Sequence, residues 1–120
     1  MPKFFDTVSR PDAVLSFGAV TPDAASKASP NVIDINKNDV NGNKLVLHGK
    51  ALSAAVSVKL QQSDDNSSFS DVAGVATGTI TGTGYVECYI QGVTKRYLKA
   101  VYVGASGTTG TAEAEIYTGV

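Results

Sequence analysis

Tryptophan is absent from this chain of 120 residues, and cysteine and histidine occur once each. A single cysteine, Cys88, rules out an intrachain disulfide and any multi-cysteine metal cluster. A single histidine, His48, means that any histidine dyad or metal site has to be built around that one ring. An excess of basic charge is also missing. Ten Lys+Arg stand against eleven Asp+Glu, for a net charge of −1, and the one adjacent basic pair is Lys95–Arg96. Nucleic-acid modules depend on several cations neutralising phosphates, so none is expected here. No apolar run approaches the roughly 18 residues of a membrane span, and the opening Met-Pro-Lys-Phe-Phe-Asp lacks the apolar core of a signal peptide. The expectation is a soluble protein folded in a reducing cytoplasm, without nucleic-acid or membrane partners.

What is present is enough to fold. Hydrophobic residues make up 42% and charged residues 18%, outside the range of disordered chains. A single domain of this mass buries about two-thirds of its extended surface, which supports one core without staples.

All four prolines (Pro2, Pro11, Pro22 and Pro30) fall in the first thirty residues, Pro30 closing that segment. Each removes a backbone donor and restricts its predecessor. Residues 1–30 are therefore expected as an extended N-terminal arm, packed on the domain or leaving it, with a short strand at Val14 to Phe17. Residues 31–120 alternate at period two, the mark of half-buried strands. Val56, Val58 and Leu60 face one way. Val86, Cys88 and Ile90 do the same, with Tyr85, Glu87 and Tyr89 opposite. Arg96 to Val103 is the most regular candidate, and Ala112, Ala114 and Ile116 form the inner face of a last strand. Lys44 to His48 is expected as a separate strand, and residues 77–84 as a loop or weak edge. Ser63 to Ser68 is a polar turn whose side chains bond their own backbone. Short strands at roughly ten-residue spacing without helix predict an all-β antiparallel sandwich, with Greek-key or jelly-roll connection. Leu60, Phe69, Val86, Ile90, Leu98 and Ile116 are the expected core.

A search for chemistry returns little. His48 ends its expected strand with no His/Glu pair at ligand spacing, so a satisfied structural ring is the simpler reading. Cys88 has inward parity and no adjacent base, which describes an inert thiol. Asp64-Asp65-Asn66 lacks the spacing and distal glutamate of a calcium loop. The Gly/Thr stretch before Tyr85 contains no G-K-[ST], and no G-x-S-x-G elbow exists. No catalytic residue, cofactor site or metal site is expected, and the chain reads as a non-enzyme.

Three segments carry a resemblance. Leu15-Ser16-Phe17-Gly18-Ala19-Val20-Thr21 runs into Ser29-Pro30-Asn31-Val32-Ile33-Asp34-Ile35. Val58-Lys59-Leu60-Gln61-Gln62-Ser63-Asp64-Asp65-Asn66 leads into Ser68-Phe69-Ser70-Asp71-Val72. The third is Lys95-Arg96-Tyr97-Leu98-Lys99-Ala100-Val101-Tyr102. In order and spacing, from about residue 14 to residue 117, the chain resembles the Bbp16-type capsid cement, or decoration, proteins of tailed phages. The resemblance implies a jelly-roll made in the host cytoplasm that binds the outside of an assembled capsid. There it clamps neighbouring capsomers, with the major capsid protein and further copies of itself, as homodimer or homotrimer, for partners.

The apolar residues of the first segment bear on this expectation. Phe4, Phe5, Leu15 and Phe17, with Tyr97 from the third segment, are candidate contacts to the capsid or a neighbouring subunit. The alternative for the arm residues is that they complete the core of their own domain. A second function fits the composition: a carbohydrate- or receptor-binding β-sandwich of a phage tail or host-attachment device, using Tyr85, Tyr89 and Tyr117 as aromatic platforms.

Overall fold

The computed structural model describes residues 13–36 and 38–118. Its strands are β1 (Ala13–Val20), β2 (Lys27–Ala28), β3 (Ile33–Asp34), β4 (Lys44–Ser63), β5 (Ser70–Ala76), β6 (Ile80–Tyr89), β7 (Tyr97–Val103) and β8 (Thr111–Thr118), with no helix among the described residues. Every pairing is antiparallel. The all-β expectation holds.

The pairings follow a simple plan. β4 is a single strand of 20 residues. Along one side it is accompanied by β5 and then β6, along the other by β7 and then β8. Outside β7 and β8 lie β3, β2 and β1 in turn. The chain thus lays down long antiparallel strips, residues 13–34, 44–63, 70–89 and 97–118, each interrupted or bent near its middle. One half-sheet contains β1, β8, the start of β4, and β6; the other contains β2, β3, β7, the end of β4, and β5. A single core joins them. Phe17, Leu45, Leu47 and Ile116 from the first half pack in the same cluster as Val58, Leu60, Leu98 and Tyr102 from the second. This curled sheet is the connectivity observed, and the finer expectation of a jelly-roll is not supported by it.

Two sequence expectations change. Lys44 to His48 does not stop at Gly49. The register against β6 shifts between Gly49 and Leu52 and again before Val56, and Ala51 takes a positive φ of 54°. These bulges bend the strand instead of ending it, so the stretch containing Val56, Val58 and Leu60 is the same strand. Phe69 was expected in the core with Leu60, and instead lies half-buried on the outer side, with the Lys99 ammonium 4.5 Å from its ring centroid. Alternation explains this, because Phe69 shares the side of Asp71, whose carboxylate bonds Lys59 and Gln61, while Val72 points inward. Leu60, Ile90, Leu98 and Ile116 are core residues, and Val86 packs against them half-buried.

The first segment is part of the sheet from Ala13 onward. β1 pairs with β8 until Ser16↔Glu115 and resumes at Ala19↔Glu113, so Phe17 and Gly18 together oppose Ala114. Gly18 has φ +93°, and a Cβ there would sit 2.5 Å from the Pro30 ring, so glycine is required twice over. The bulge leaves the Ala114 N–H and the Gly18 carbonyl without ladder partners. The Tyr102 hydroxyl serves both. It accepts from Ala114 N at 2.8 Å and donates to Gly18 O at 2.8 Å. Burial pushes its ionisation up to about 12, so it stays a neutral donor. The segment expected as an extended arm, packed on the domain or leaving it, thus carries sheet strands at Ala13–Val20 and Lys27–Ala28, while residues 1–12 lie outside the described ones.

Beyond the end of β4, the Asp65 Oδ1 accepts from the Ser63 hydroxyl and from the N–H groups of Ser67 and Ser68, at 2.8, 2.9 and 3.0 Å. These bonds, the Ser68 N–H foremost, hold its carboxyl down to about 2 from an ordinary 3.8. A depressed carboxyl adds stability above its unfolded value and loses it as pH falls through the folded one. Denaturant midpoints of the wild type should therefore carry a decrement between about pH 4 and about pH 2 that Asp65→Asn lacks; matching profiles would remove Asp65 as its source. Tyr102→Phe, which strands a buried N–H and carbonyl, should cost about 1–3 kcal/mol in the same measurement at neutral pH, and an unchanged midpoint would show the hydroxyl to be dispensable.

Candidate functional site

The outer face of the first half-sheet is built by parity. In β4, Leu45 and Leu47 enter the core, so Lys44, Val46 and His48 point outward. Register then fixes three rows across the strands. Tyr89, Lys44, Tyr117 and Val14 form one; Glu87, Val46, Glu115 and Ser16 the next; Tyr85, His48 and Glu113 the third.

These rows interact. His48 Nε2 lies 2.8 Å from Glu115 Oε1 and 3.0 Å from the Tyr117 hydroxyl. Lys44 pairs with Glu87 at 3.1 Å, and its ammonium is 5.8 Å from the Tyr89 ring centroid. The Glu87 carboxylate raises the Lys44 ammonium above the usual lysine range. Ser16 donates its hydroxyl to Glu113. At the centre, Val46 is only 4% exposed although it lies outside the core cluster. The surrounding side chains cover it. The result is an open depression of about 310 Å³ lined by Lys44, Val46, His48, Tyr85, Glu87 and Tyr117. Tyr85 and Tyr89 are 62% and 66% exposed. Chemically the face offers aromatic surface, an ammonium, an imidazole and carboxylates, a set suited to hydrogen bonding and stacking.

A second region of about 470 Å³ sits at the far end of the other half-sheet, among Asn38, Asp39, Asn41, Asp64, Val93 and Lys95. Its rim is rigid. Asn41 clamps the backbone of Val93 from both sides, accepting from its N–H at 2.9 Å and donating to its carbonyl at 3.0 Å. Gln62 Oε1 accepts the N–H groups of Thr94 and Lys95. Among the described residues no group of three or more His, Cys, Asp or Glu is arranged to hold a metal ion.

The candidate contact residues from the sequence are dispersed. Phe17 is fully buried in the core, and Leu15 packs against it partly buried. Phe17 is thereby part of the core of its own domain. Tyr97 is half-buried beneath the Arg96 guanidinium, 5.1 Å from its ring centroid. Phe4 and Phe5 lie outside the described residues. Of the three tyrosines proposed as platforms, Tyr85 and Tyr117 line the depression and Tyr89 flanks it. Cys88 faces inward, half-buried, and burial pushes its thiol up.

The His48–Glu115–Tyr117 cluster was not anticipated from sequence, because its members come from strands far apart in the chain. The outward parity of each was the available signal. Val46 gave none, since alternation alone marks it as exposed.

No family model matches this chain, and no curated protein does. Among solved structures it is similar to the crystal structure of the SPBc2 prophage-derived protein YomS, at 14% identity over 88% of this chain and 90% of that one, with a TM-score of 0.45.

The burial of Val46 is testable against a residue of the same type on the same face. Val46→Ala should cost about 1.5–3 kcal/mol, the value of a fully buried valine side chain. Val14→Ala, at a site 47% exposed, should stay within about 0.5 kcal/mol. Equal losses in chemical denaturation would show that the ring of side chains does not shield Val46.

Proposed function

We propose that this chain is a virion structural protein that binds the outside of an assembled phage capsid and cements neighbouring capsomers, without catalysis. The observation that carries the reading concerns the three segments of the cement-protein resemblance. They are scattered along the sequence, yet their strands fall side by side. β3, from the first segment, pairs with β7, from the third. β7 pairs with the second half of β4, and that half pairs with β5, both from the second segment. Asp34 and Arg96, the acidic and basic residues of the first and third segments, meet in a bidentate pair with both bonds at 2.8 Å. The Arg96 guanidinium holds the Asp34 carboxyl below the usual carboxylate range. Apart from the β1 part of the first segment, which pairs with β8, the resembling residues therefore fall in one structural unit, as a motif set inherited together would.

On this reading the grip is made of many weak contacts multiplied by repetition over the shell. The partners are the major capsid protein and further copies of this chain, and the location is the capsid surface. A protein that binds only the assembled shell stabilises it by mass action.

A second reading, carbohydrate or receptor binding, is favoured by the depression between Tyr85 and Tyr117 with Lys44 and Glu87 at its rim. Glycan-array binding by the isolated protein would support that one.

The primary test is co-sedimentation with assembled capsids, joined to thermal melting of complete and depleted shells. Depleted shells should lose integrity at lower temperature. Deleting residues 1–12 should leave the melting of the isolated domain nearly unchanged while weakening attachment. Identical melting of the two shells would count against cementing, and full attachment after the deletion would move the grip to the sheet faces.

A further inference from the structure

The edges of the sheet are unequally protected. β2 and β3 are two residues each, β1 is broken by its bulge, and β5 is broken by a register shift against β4 and carries Gly74 at φ +77°. β6 is the longest edge strand at ten residues, and it has no proline and no lysine. Its first part is irregular, with Gly82 at φ +78° and Gly84 at φ +154°. From Tyr85 to Tyr89 it is regular, in unbroken register with β4 from His48 back to Lys44. Exposed edges of this kind are ordinarily blunted by charge, proline or cover. Here the one charge is Glu87, and Lys44 already pairs with it.

Backbone parity shows what this edge presents. Ile90 donates its N–H to Asn43 O at 2.8 Å and accepts from Gly42 N at 2.7 Å, so both its polar groups face the β4 chain. At period two, Cys88 and Val86 face β4 as well. Tyr85, Glu87 and Tyr89 therefore aim their N–H and C=O groups away from β4, to the free side. The same alternation carried across β4 to β8 turns the Ala114 N–H toward β1, where it meets the Tyr102 hydroxyl. That independent bond agrees with the assignment.

We infer that the Tyr85–Tyr89 edge of β6 is the site of self-association, pairing antiparallel with the same edge of a second copy about a twofold axis at Val86. Backbone parity makes the edge self-complementary, which fits a second copy, and the charges select the register. With Val86 opposite Val86 of the partner subunit, Tyr85 of each copy forms a hydrogen-bonded pair with Glu87 of the other. The two Glu87 carboxylates are then kept apart. A twofold at Glu87 would set them directly opposite, which is unfavourable. In the Val86 register both sheets continue into one, and each exposed Tyr85 ring gains the stem of the partner's Glu87. A closed twofold of this kind consumes both edges at once and stops at the dimer. The inference rests on the edge alone and does not depend on capsid binding.

The experiment is analytical ultracentrifugation of the full chain from micromolar to millimolar concentration, with two variants. Glu87→Pro deletes an outward N–H, no backbone bond to β4, and the exposed ion pair to Lys44, a substitution edge strands tolerate. Tyr85→Glu sets a carboxylate directly opposite the partner's Glu87 at each of the two junction pairs, where like charges repel. The expected result is a concentration-dependent dimer in the wild type and a monomer in Glu87→Pro, with far-UV circular dichroism of the monomer retained in both variants and dimerisation weakened in Tyr85→Glu. A wild type that stays monomeric throughout, one that forms trimers, or a dimer that survives Glu87→Pro with its affinity intact would each overturn the inference. Should Glu87→Pro lose its β spectrum, the Tyr85→Glu result decides: undiminished dimerisation there overturns it as well.

Discussion

A single hydroxyl, that of Tyr102, ties the two halves of this sheet together. Its ring enters the core from β7 in the second half, and its oxygen bonds β8 and β1 in the first. The backbone groups it satisfies exist only because β1 bulges at Phe17 and Gly18. The bulge in turn lets Phe17 point fully into the core. A hydroxyl in apolar surroundings without partners would be costly; here both its donor and acceptor functions are used, and the buried polar side-chain atoms of the described residues are all partnered. Position of the halves, the bulge and the seating of Phe17 therefore stand or fall together.

The bend that brings the halves face to face is shaped by the same logic of close backbone approach. Ala51 turns β4 at φ 54°, and Gly110, at φ +99°, lies directly against it, where a Cβ would come 2.4 Å from the Ala51 carbonyl oxygen. Ser53 and Thr109 then close the corner reciprocally, the Ser53 N–H to Thr109 O at 3.1 Å and the Thr109 N–H to the Ser53 hydroxyl at 2.8 Å. The loop between β7 and β8 is stitched on to the loop after β1 by Gly104 and Gly107, whose N–H groups reach Ala25 and Asp23. Neighbouring strips bend at the same level, so the core stays continuous through the fold.

Much of this was legible because alternation is local. The inward faces of β6, β7 and β8 are readable directly from Val86 to Ile90, Leu98 to Tyr102 and Ala112 to Ile116, and the Ser63–Ser68 turn from its Asx chemistry. What escaped depends on partners distant in sequence. Gly49 looks like a strand end until β6 and β8 are known to follow β4 past it. Phe69 looks like core until Asp71, two residues on, is seen to bond Lys59 and Gln61 on the outer side while Val72 points inward. Val46 looks exposed until its neighbours on β6 and β8 are placed beside it. Phe17 was readable as either core or contact, and only the bulge decides. The His48–Glu115–Tyr117 cluster is of the same kind, a product of register between strands that no spacing in the chain reveals.

The division of labour between the half-sheets follows from where charge and aromatic area lie. The second half carries the segments that resemble cement proteins except for the β1 part of the first, and its outer side is laced by compensated pairs: Asp34 with Arg96, Asp71 with Lys59, Asp23 with Lys27. Exposed pairs of this kind add little stability, but they leave a polar surface on which these charges are already answered. The first half carries the exposed tyrosines and the least protected edge. Tyrosine supplies broad contact area at a small entropic cost, which is why it concentrates where surfaces are later covered. A sheet whose one half is internally satisfied and whose other half holds open backbone groups beside aromatic rings has a direction to its unfinished valence. Association through the first half would leave the second free to face another surface, and two copies so joined would present two such surfaces at a fixed separation, the geometry in which weak individual contacts add as avidity.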